Sequence, residues 1–245
     1  MKNIDLKYKL YRVLKVPLYL PLGATFSLNL LLVSIFISVA SPVYATACTV
    51  DNLGPADYST IQAAIDDVNC DPITIAAGNY VENLIITRAL TLEGAGSAST
   101  VIDGGAVASV IDINVFGGPE VIITDLTIQN GSADKGAGIY AVTSVTINDA
   151  VITQNVAANY GGGIYVFDGP LIMDNTTVSD NEAGLAGGGI DNRFDSVITN
   201  SQIISNRITT PSPAVTVGGA GIHNRSNLTI TVIGHRKMTH SGQNY

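Results

Sequence analysis

Short runs of apolar and β-branched residues, separated by glycine or Asp/Asn turns, dominate the chain from residue 73 onward. Runs of this kind, rich in Ile, Val, Leu and Thr, are typical of strands. The first six cover residues 73–76, 83–87, 90–93, 101–103, 110–114 and 121–129. The pattern therefore predicts an all-β region of short strands joined by tight turns.

A Gly-x-Gly-Ile motif marks a repeat, beginning at Gly136, Gly161, Gly187 and Gly219 with spacings of 25, 26 and 32 residues. A period in the twenties without an internal helical pattern is typical of a solenoid of stacked coils. Each repeat holds further strands, at 145–147, 171–173, 197–199 and 228–230 and at 151–153, 177–179 and 203–204. Three short strands per coil predict a parallel β-helix, in which each strand pairs with its equivalent about 4.8 Å away.

Because equivalent residues stack in such a coil, repeated asparagines predict columns of amides. One column contains Asn155, Asn181 and Asn206, spaced 26 and 25 residues apart, and Asn130 fits 25 residues earlier with a one-residue ambiguity. The members of a second column, at the other turn, are Asn148, Asp174 and Asn200. Stacked amides hydrogen-bond one another at a tight bend, so both columns are interpreted as structural.

The first 45 residues have the pattern of an export signal. Five basic residues precede an uncharged stretch from 16 to 45, whose apolar centre at 28–40 is followed by small residues at 43 and 45. An uncleaved membrane anchor and a lipid anchor at Cys48 are the alternatives. Cleavage is favoured because Pro17, Pro21 and Gly23 interrupt the apolar stretch. The protein is therefore predicted to be secreted or held at the cell surface.

Residues 46–72 are predicted to form an N-terminal cap. The segment Ser-Thr-Ile-Gln at 59–62 has the form of a capping box and predicts a short amphipathic helix, which would cover the apolar end of the coil. The apolar stripe of this helix would contain Ile61, Ala64, Ile65 and Val68. The two cysteines, Cys48 and Cys70, are predicted to form a disulfide, because an even pair in an exported chain is usually oxidised.

The charge balance limits the partners. The chain holds 12 basic and 20 acidic residues, and without the first 45 residues it holds 7 and 19, a net charge of −12. Such a surface repels nucleic acid and anionic membranes, so neither is expected as a partner. Scattered carboxylates and Asn carbonyls suit Ca²⁺, although solubility alone also explains them. No other cofactor is expected, and the chain is expected to be a monomer.

Three N-terminal segments resemble the start of the pectin-lyase-like superfamily. They are Gly78-Asn79-Tyr80-Val81-Glu82-Asn83, Leu90-Thr91-Leu92-Glu93-Gly94-Ala95-Gly96 and Val101-Ile102-Asp103-Gly104-Gly105. The Gly-x-Gly-Ile units are similar to its bacterial repeat-rich members, and the resemblance covers residues 58–231. It implies an all-β, right-handed parallel β-helix (a solenoid) with a short N-terminal capping helix, over residues 73–231. The superfamily includes lyases, hydrolases, esterases and non-catalytic surface proteins, so the resemblance does not imply one activity.

The motifs of the superfamily's enzymes are mostly missing. Gly78, Tyr80 and Glu82 match a pectin methylesterase motif, but the Gln-Asp-Thr, Asp-Phe-Ile-Phe-Gly and Arg-Pro-Trp segments of that family do not occur. Of the polygalacturonase motifs only the pair Asp66-Asp67 occurs, and it lies on the predicted cap helix. A pectate-lyase-like enzyme would need clustered carboxylates for Ca²⁺ and an arginine base.

Two columns of outward-facing residues follow each Gly-x-Gly-Ile motif, because side chains alternate along a strand. The first column contains Tyr140, Tyr165, Asp191 and His223. The second contains Val142, Phe167, Arg193 and Arg225. Tyr140, Tyr165 and Phe167 are predicted to stack on sugar rings. Arg193 and Arg225 are predicted to pair with uronate carboxylates. Asp168 and Asp195 are expected to lie near these arginines. An ordinary outer face of the sheet is the alternative, and Arg193, Arg225, Asp191 and His223 are the weak candidates for catalysis.

Residues 232–245 break the repeat and lack a capping apolar stripe, which favours a truncated or frameshifted gene; a natural tail and a cap are the alternatives. The function predicted from the sequence is that of a secreted or cell-surface β-helix protein, non-catalytic, whose outer face contacts an acidic or neutral polysaccharide. A truncated or divergent polysaccharide lyase of the pectate-lyase type is one alternative. A structural adhesin stalk is the other.

Overall fold

A computed structural model of the protein describes residues 45–115, 120–209 and 219–231. All of them belong to one compact unit, Pro42–Tyr245. The predicted export signal, apart from Ala45, and the atypical tail at 232–245 lie outside the described residues. Within the described ranges, no helix has both the length and the apolar character that a membrane span requires.

The described residues form one helix and 24 strands. In chain order they are β1 (Thr46–Val50), α1 (Ile61–Asp66), β2 (Cys70–Ile75), β3 (Gly78–Val81), β4 (Leu84–Ile86), β5 (Thr91–Gly94), β6 (Thr100–Asp103), β7 (Ile111–Ile113), β8 (Val121–Thr124), β9 (Thr127–Gln129), β10 (Ser132–Lys135), β11 (Ile139–Ala141), β12 (Val145–Asn148), β13 (Val151–Thr153), β14 (Val156–Tyr160), β15 (Ile164–Val166), β16 (Leu171–Asp174), β17 (Thr177–Ser179), β18 (Glu182–Ala183), β19 (Ile190–Asn192), β20 (Ser196–Thr199), β21 (Gln202–Ile204), β22 (Arg207–Ile208), β23 (Ile222–Asn224) and β24 (Leu228–Thr231).

The strands form four parallel sheets that the chain visits in turn. Sheet I has the order β1-β2-β5-β8-β12-β16-β20-β24, sheet II β3-β6-β9-β13-β17-β21, sheet III β4-β7-β11-β15-β19-β23 and sheet IV β10-β14-β18-β22. Each strand inside a sheet pairs in parallel with its equivalents in the coils before and after it, and the end strands pair with one of them, which confirms the predicted all-β parallel β-helix with a short N-terminal helix.

Two details of the strand prediction are wrong. Sheet IV gives the later coils a fourth strand where three were predicted. The predicted run at 121–129 is two strands, because Asp125 adopts a left-handed φ of 58° and turns the chain from sheet I into sheet II.

Inward-facing residues stack in apolar columns along the coil axis. In sheet I, Ile123, Ile147, Met173 and Ile198 pair in register from coil to coil, and all four are buried. Burying a side chain of this size stabilises the fold by about 1.5–3 kcal/mol. The core is therefore a stack of nearly identical apolar layers.

The Gly-x-Gly-Ile motif forms the corner that leads into sheet III. Gly136, Gly161 and Gly187 have left-handed φ angles of 56°, 61° and 60°, which side chains rarely adopt. The second glycine lies against the next coil, since a Cβ on Gly163 would sit 2.7 Å from the carbonyl oxygen of Gly189. The motif is thus required by backbone conformation and by close packing of coils.

The predicted asparagine ladder is confirmed. Asn155 Nδ2 donates to Asn181 Oδ1 at 3.0 Å, and Asn181 Nδ2 donates to Asn206 Oδ1 at 3.0 Å. The same oxygens accept from the backbone N–H groups of Asn155 and Asn181 at 3.1 and 3.0 Å. Asn181 Nδ2 also donates to the Ile152 carbonyl at 2.9 Å. Each buried amide thus joins one coil to the next.

Asn130 does not belong to this ladder. Gly131 occupies the equivalent position, because its backbone N–H donates to Asn155 Oδ1 at 2.8 Å. Asn130 has a left-handed φ of 57° and precedes the ladder position. The residues that share its conformation in the later coils are Gln154, Asp180 and Ser205.

The second predicted column is wrong by one residue in its last coil. Asn148 pairs with Asp174, but Asp174 then pairs with Thr199. Asn200 follows that position with a left-handed φ of 49°. Its side chain still donates to Asp174 Oδ1 at 2.9 Å, so it contributes to the same turn.

The helix begins one residue later than the capping box predicted. Thr60 is the N-cap residue, not Ser59. The Glu82 carboxylate accepts from the backbone N–H groups of Ile61 and Gln62, both at 3.0 Å. Glu82, in the turn after β3, therefore accepts hydrogen bonds from the first backbone N–H groups of α1. The capping box had predicted that residues of the helix itself would accept them.

The rest of the N-terminal segment partly follows the prediction. Ile61, Ala64 and Ile65 are buried, whereas Val68 is 73% exposed because α1 ends at Asp66. The predicted disulfide is present between Cys48 in β1 and Cys70 in β2. These two strands are parallel neighbours, so sheet I already begins within the segment assigned to the cap.

We expect Asn181→Ala to lower the free energy of unfolding by about 2–4 kcal/mol, since it leaves several buried hydrogen-bonding groups of the neighbouring coils unpaired. Urea unfolding monitored by circular dichroism measures the change. The matched control is Asn159→Ala, whose side chain bonds to Asp134 at the surface and whose loss should cost at most about 0.5 kcal/mol. Equal losses for the two variants would contradict a structural ladder.

Candidate functional site

The first outward column lies on sheet III as predicted. Tyr140 pairs with Tyr165, Tyr165 with Asp191, and Asp191 with His223. In the coil before Tyr140 the same position is occupied by Asp112. Because neighbouring strands lie about 4.8 Å apart, these side chains form a continuous line across successive coils.

The residues of the second column lie just beyond the ends of the sheet III strands. The backbone N–H of Phe167 donates to Ala141 at 2.7 Å, and that of Arg193 donates to Val166 at 3.2 Å, so the column runs in step with the strands. The Arg193 guanidinium lies over the Phe167 ring, 4.9 Å from its centroid. Val142, at the start of the column, is buried, and so does not contribute to an exposed surface.

Sheet IV places two further residues, Lys135 and Tyr160, beside Tyr165 of the first column. Tyr160 lies 6.5 Å from Tyr165 between ring centroids, with the rings tilted by 40°. Lys135 Nζ lies 5.9 Å from the Tyr160 centroid and 5.8 Å from that of Tyr165. Sheets III and IV therefore form a corner lined by tyrosines and a lysine.

The sequence prediction missed Lys135 and Tyr160. They stand immediately before Gly136 and Gly161, and pair with each other in sheet IV. Extending the Gly-x-Gly-Ile repeat by one residue toward the N-terminus would have found them. The cue was overlooked because the fourth strand itself was not predicted.

The tyrosine rings stack on each other, not toward solvent. Tyr140 and Tyr165 have centroids 5.7 Å apart and an interplanar angle of 9°. Tyr165 is only 3% exposed, so it cannot offer a face to a sugar ring as predicted. It forms the floor of the corner instead. Phe167 remains 43% exposed, and Tyr140 is partly exposed.

Asp191 and His223 are brought together as the sequence suggested. Asp191 is fully buried. Its Oδ2 lies 2.8 Å from His223 Nδ1 and 3.6 Å from an Arg225 guanidinium nitrogen. The contact suits a tautomer in which His223 Nδ1 donates to the Asp191 carboxylate and Nε2 is the acceptor. In that tautomer the ring offers Nε2 to a bound molecule.

Burial raises the pKa of the Tyr165 hydroxyl above its ordinary value. Arg193 and Arg225 oppose this shift, whereas Asp191 adds to it. The pKa of Tyr140 is likewise raised by burial, with a further contribution from Asp112. Both tyrosines are therefore neutral hydrogen-bond donors at physiological pH.

Basic residues are concentrated at this corner. The described residues include five lysines and arginines. Arg88 is held by backbone carbonyls near α1, and Arg207 pairs with Glu182. The other three are Lys135, Arg193 and Arg225. The Arg225 guanidinium lies 5.7 Å from the Tyr160 centroid. We refer to Lys135, Tyr160, Tyr165, Arg193 and Arg225 together as the basic corner.

The remaining acidic candidates lie beside the basic corner. Asp195 accepts from the Ser226 hydroxyl at 2.7 Å and from the Asn227 backbone at 3.1 Å, and these bonds lower the pKa of its carboxyl. Asp168 is exposed. Among the described residues, no three His, Cys, Asp or Glu side chains are grouped as a metal site would require.

No protein-family model matches the chain, and no curated protein is significantly similar to it in sequence. Among solved structures, pectin methylesterase from carrot is similar, with a TM-score of 0.43 and 13% identity, over 77% of this chain and 83% of that chain. A similarity at this level carries no information about activity or substrate, and the fold itself rests on the strand pairing described above.

We expect Asp112→Asn to stabilise the protein slightly at pH 7. Burial raises the pKa of the Asp112 carboxyl, an effect that the hydrogen bond from Asn114 partly offsets. A raised carboxyl pKa means that wild-type stability falls as pH rises from the ordinary value of about 3.9 through the folded value. The gain should therefore vanish below about pH 3.9.

Thermal unfolding of both proteins across this pH range measures the effect. The matched control is Asp168→Asn, which should leave stability at pH 7 unchanged because Asp168 is exposed. An Asp112→Asn variant that is less stable than wild type at pH 7 would show that the ionised carboxylate stabilises the fold.

Proposed function

We propose that the protein is a secreted or cell-surface β-helix protein that binds an acidic polysaccharide at the basic corner, without transforming it. The observation that carries this proposal is that Lys135 and Arg225 lie over tyrosine rings and Arg193 lies over Phe167, on a chain whose net charge without the first 45 residues is −12. Guanidinium groups bind carboxylates with paired hydrogen bonds. Uronate sugars carry such carboxylates.

The placement of the two arginines favours an anionic partner. Arg193 and Arg225 occupy one column in adjacent coils, since each donates its backbone N–H to the coil before. Like charges on neighbouring strands repel each other. Asp191, at 3.6 Å from Arg225, offsets part of this repulsion, and a bound carboxylate would offset more.

The aromatic residues give the corner an apolar surface beside its charges. Phe167, 43% exposed, flanks Arg193, and the buried Tyr165 supports the floor. An aromatic face beside a cation suits a sugar ring that carries a carboxylate. The column continues along several coils, so a polymer can extend beyond one sugar.

The rest of the molecule is consistent with an extracellular setting. Disulfides persist in oxidising compartments, and Cys48 and Cys70 are cross-linked. The acidic remainder of the surface repels an acidic polymer, so binding would depend on the basic corner and weaken as salt screens it.

We expect Arg193→Ala and Arg225→Ala each to weaken binding of oligogalacturonate by roughly tenfold or more, because a hydrogen bond to a charged group contributes about 1.5–3 kcal/mol. Isothermal titration calorimetry at low salt measures the affinity. Arg207→Ala is the matched control, since Arg207 is paired with Glu182, and it should bind like wild type. A wild-type protein that binds no acidic oligosaccharide would contradict the proposal and favour the adhesin stalk.

A second candidate is a divergent polysaccharide lyase, favoured by the contact between Asp191 and His223. A histidine oriented by a buried carboxylate is a frequent general base. In a lyase it would remove the acidic proton beside a uronate carboxylate held by Arg193 or Arg225. Arg193 and Arg225 would then be catalytic candidates as well as binding residues.

We expect no unsaturated product, detected by its near-ultraviolet absorbance, when the protein is incubated with polygalacturonate and Ca²⁺. A binding protein needs only ground-state contacts, whereas a lyase must also stabilise the transition state. Product that forms with wild type and disappears with His223→Ala or Arg193→Ala would establish the lyase against the non-catalytic proposal.

A further inference from the structure

One column of sheet III changes from apolar to polar residues in the two coils that carry the arginines. In register, Ala141 pairs with Val166, Val166 with Asn192 and Asn192 with Asn224. Asn192 has no exposure to solvent. Each of these two asparagines immediately precedes an arginine of the basic corner.

Both amides bind the turn that follows their own arginine. Asn192 Nδ2 donates to the Phe194 carbonyl at 2.6 Å and lies 3.3 Å from that of Asp195. Asn224 Nδ2 donates to the Ser226 carbonyl at 2.7 Å. In each case the acceptor lies two residues beyond the asparagine, so the same local arrangement occurs twice.

The two turns are also tied to each other. Asn192 Nδ2 lies 3.2 Å from Asn224 Oδ1, and Ser196 Oγ donates to the same oxygen at 2.9 Å. The Arg225 backbone N–H donates to the Asn192 carbonyl at 2.9 Å. Neither arginine turn can therefore shift without breaking contacts to the other.

This arrangement is not the most stable one for the core. Asn192 Oδ1 is buried without a hydrogen-bond partner, and one amide nitrogen with two protons faces several acceptors. A buried unpaired polar atom destabilises a fold. The coil before uses Val166 at this position and buries it fully, so valine fits the space.

We propose that Asn192 and Asn224 are positioning residues, which hold the two turns so that Arg193 and Arg225 point together toward one acidic ligand. They do not touch the ligand. The inference rests on the proposed function for its ligand, an acidic polysaccharide. It adds that binding depends on two amides that do not contact the ligand, Asn192 (buried) and Asn224 (partly buried), as well as on the cations themselves.

The test is Asn192→Val, compared with Val166→Ala one coil earlier in the same column. Asn192→Val should unfold at the same temperature as wild type or a higher one, yet bind oligogalacturonate about three- to tenfold more weakly, because Arg193 must now be ordered on binding. Val166→Ala should do the reverse, with lower thermal stability and unchanged affinity. If Asn192 only stabilised the core, its replacement would change stability and affinity in the same direction.

A second measurement does not depend on the ligand. NMR order parameters of the Arg193 side-chain Nε should fall in Asn192→Val and stay unchanged in Val166→Ala. An Asn192→Val protein whose Arg193 is as ordered as in wild type would overturn the inference. If wild type binds no acidic oligosaccharide, the proposed function fails, and the order parameters still decide whether Asn192 positions Arg193.

Discussion

The parallel hydrogen bonding between equivalent strands governs everything else in this protein. From β8 to β22, each strand residue has as its neighbours the equivalent residues 24 to 26 positions away along the chain. A side chain is therefore suited to a column only if it tolerates a similar side chain beside it. Isoleucine and asparagine meet this condition, the first by packing and the second by hydrogen bonding. Adjacent arginines do not, so the pair Arg193 and Arg225 calls for a functional explanation.

The polarity of the coil changes along its axis. In the earlier coils the interior positions beside sheet III are Ala141 and Val166, and those of sheet I include Val145 and Leu171. In the coil of Arg193 they become Asn192 and Ser196, both buried. Fewer buried apolar contacts imply lower local stability. The candidate site therefore lies in the part of the described coil where the sequence is least optimised for packing.

The repeat alone was enough to predict the coil, the amide ladder through Asn181 and the columns on sheet III, because these depend only on spacing. Sheet IV was missed because its inward residues are small alanines, Ala133 and Ala157, which give no strand-like apolar signal. The predicted alignment of Asn200 with Asp174 was wrong because the coil that follows Asp174 is one residue shorter than the coil before it. The burial of Tyr165 depends on residues contributed by another strand, and no pattern within its own repeat reveals it.

The last two Gly-x-Gly-Ile motifs are 32 residues apart instead of 25 or 26, yet Ile190 still pairs with Ile222 and Asp191 with His223. The additional residues fall in the chain between β22 and β23. A coil of this type thus absorbs length changes at a junction without disturbing the coils on either side. Insertions between strands can therefore accumulate during evolution, while the scaffold keeps its alignment.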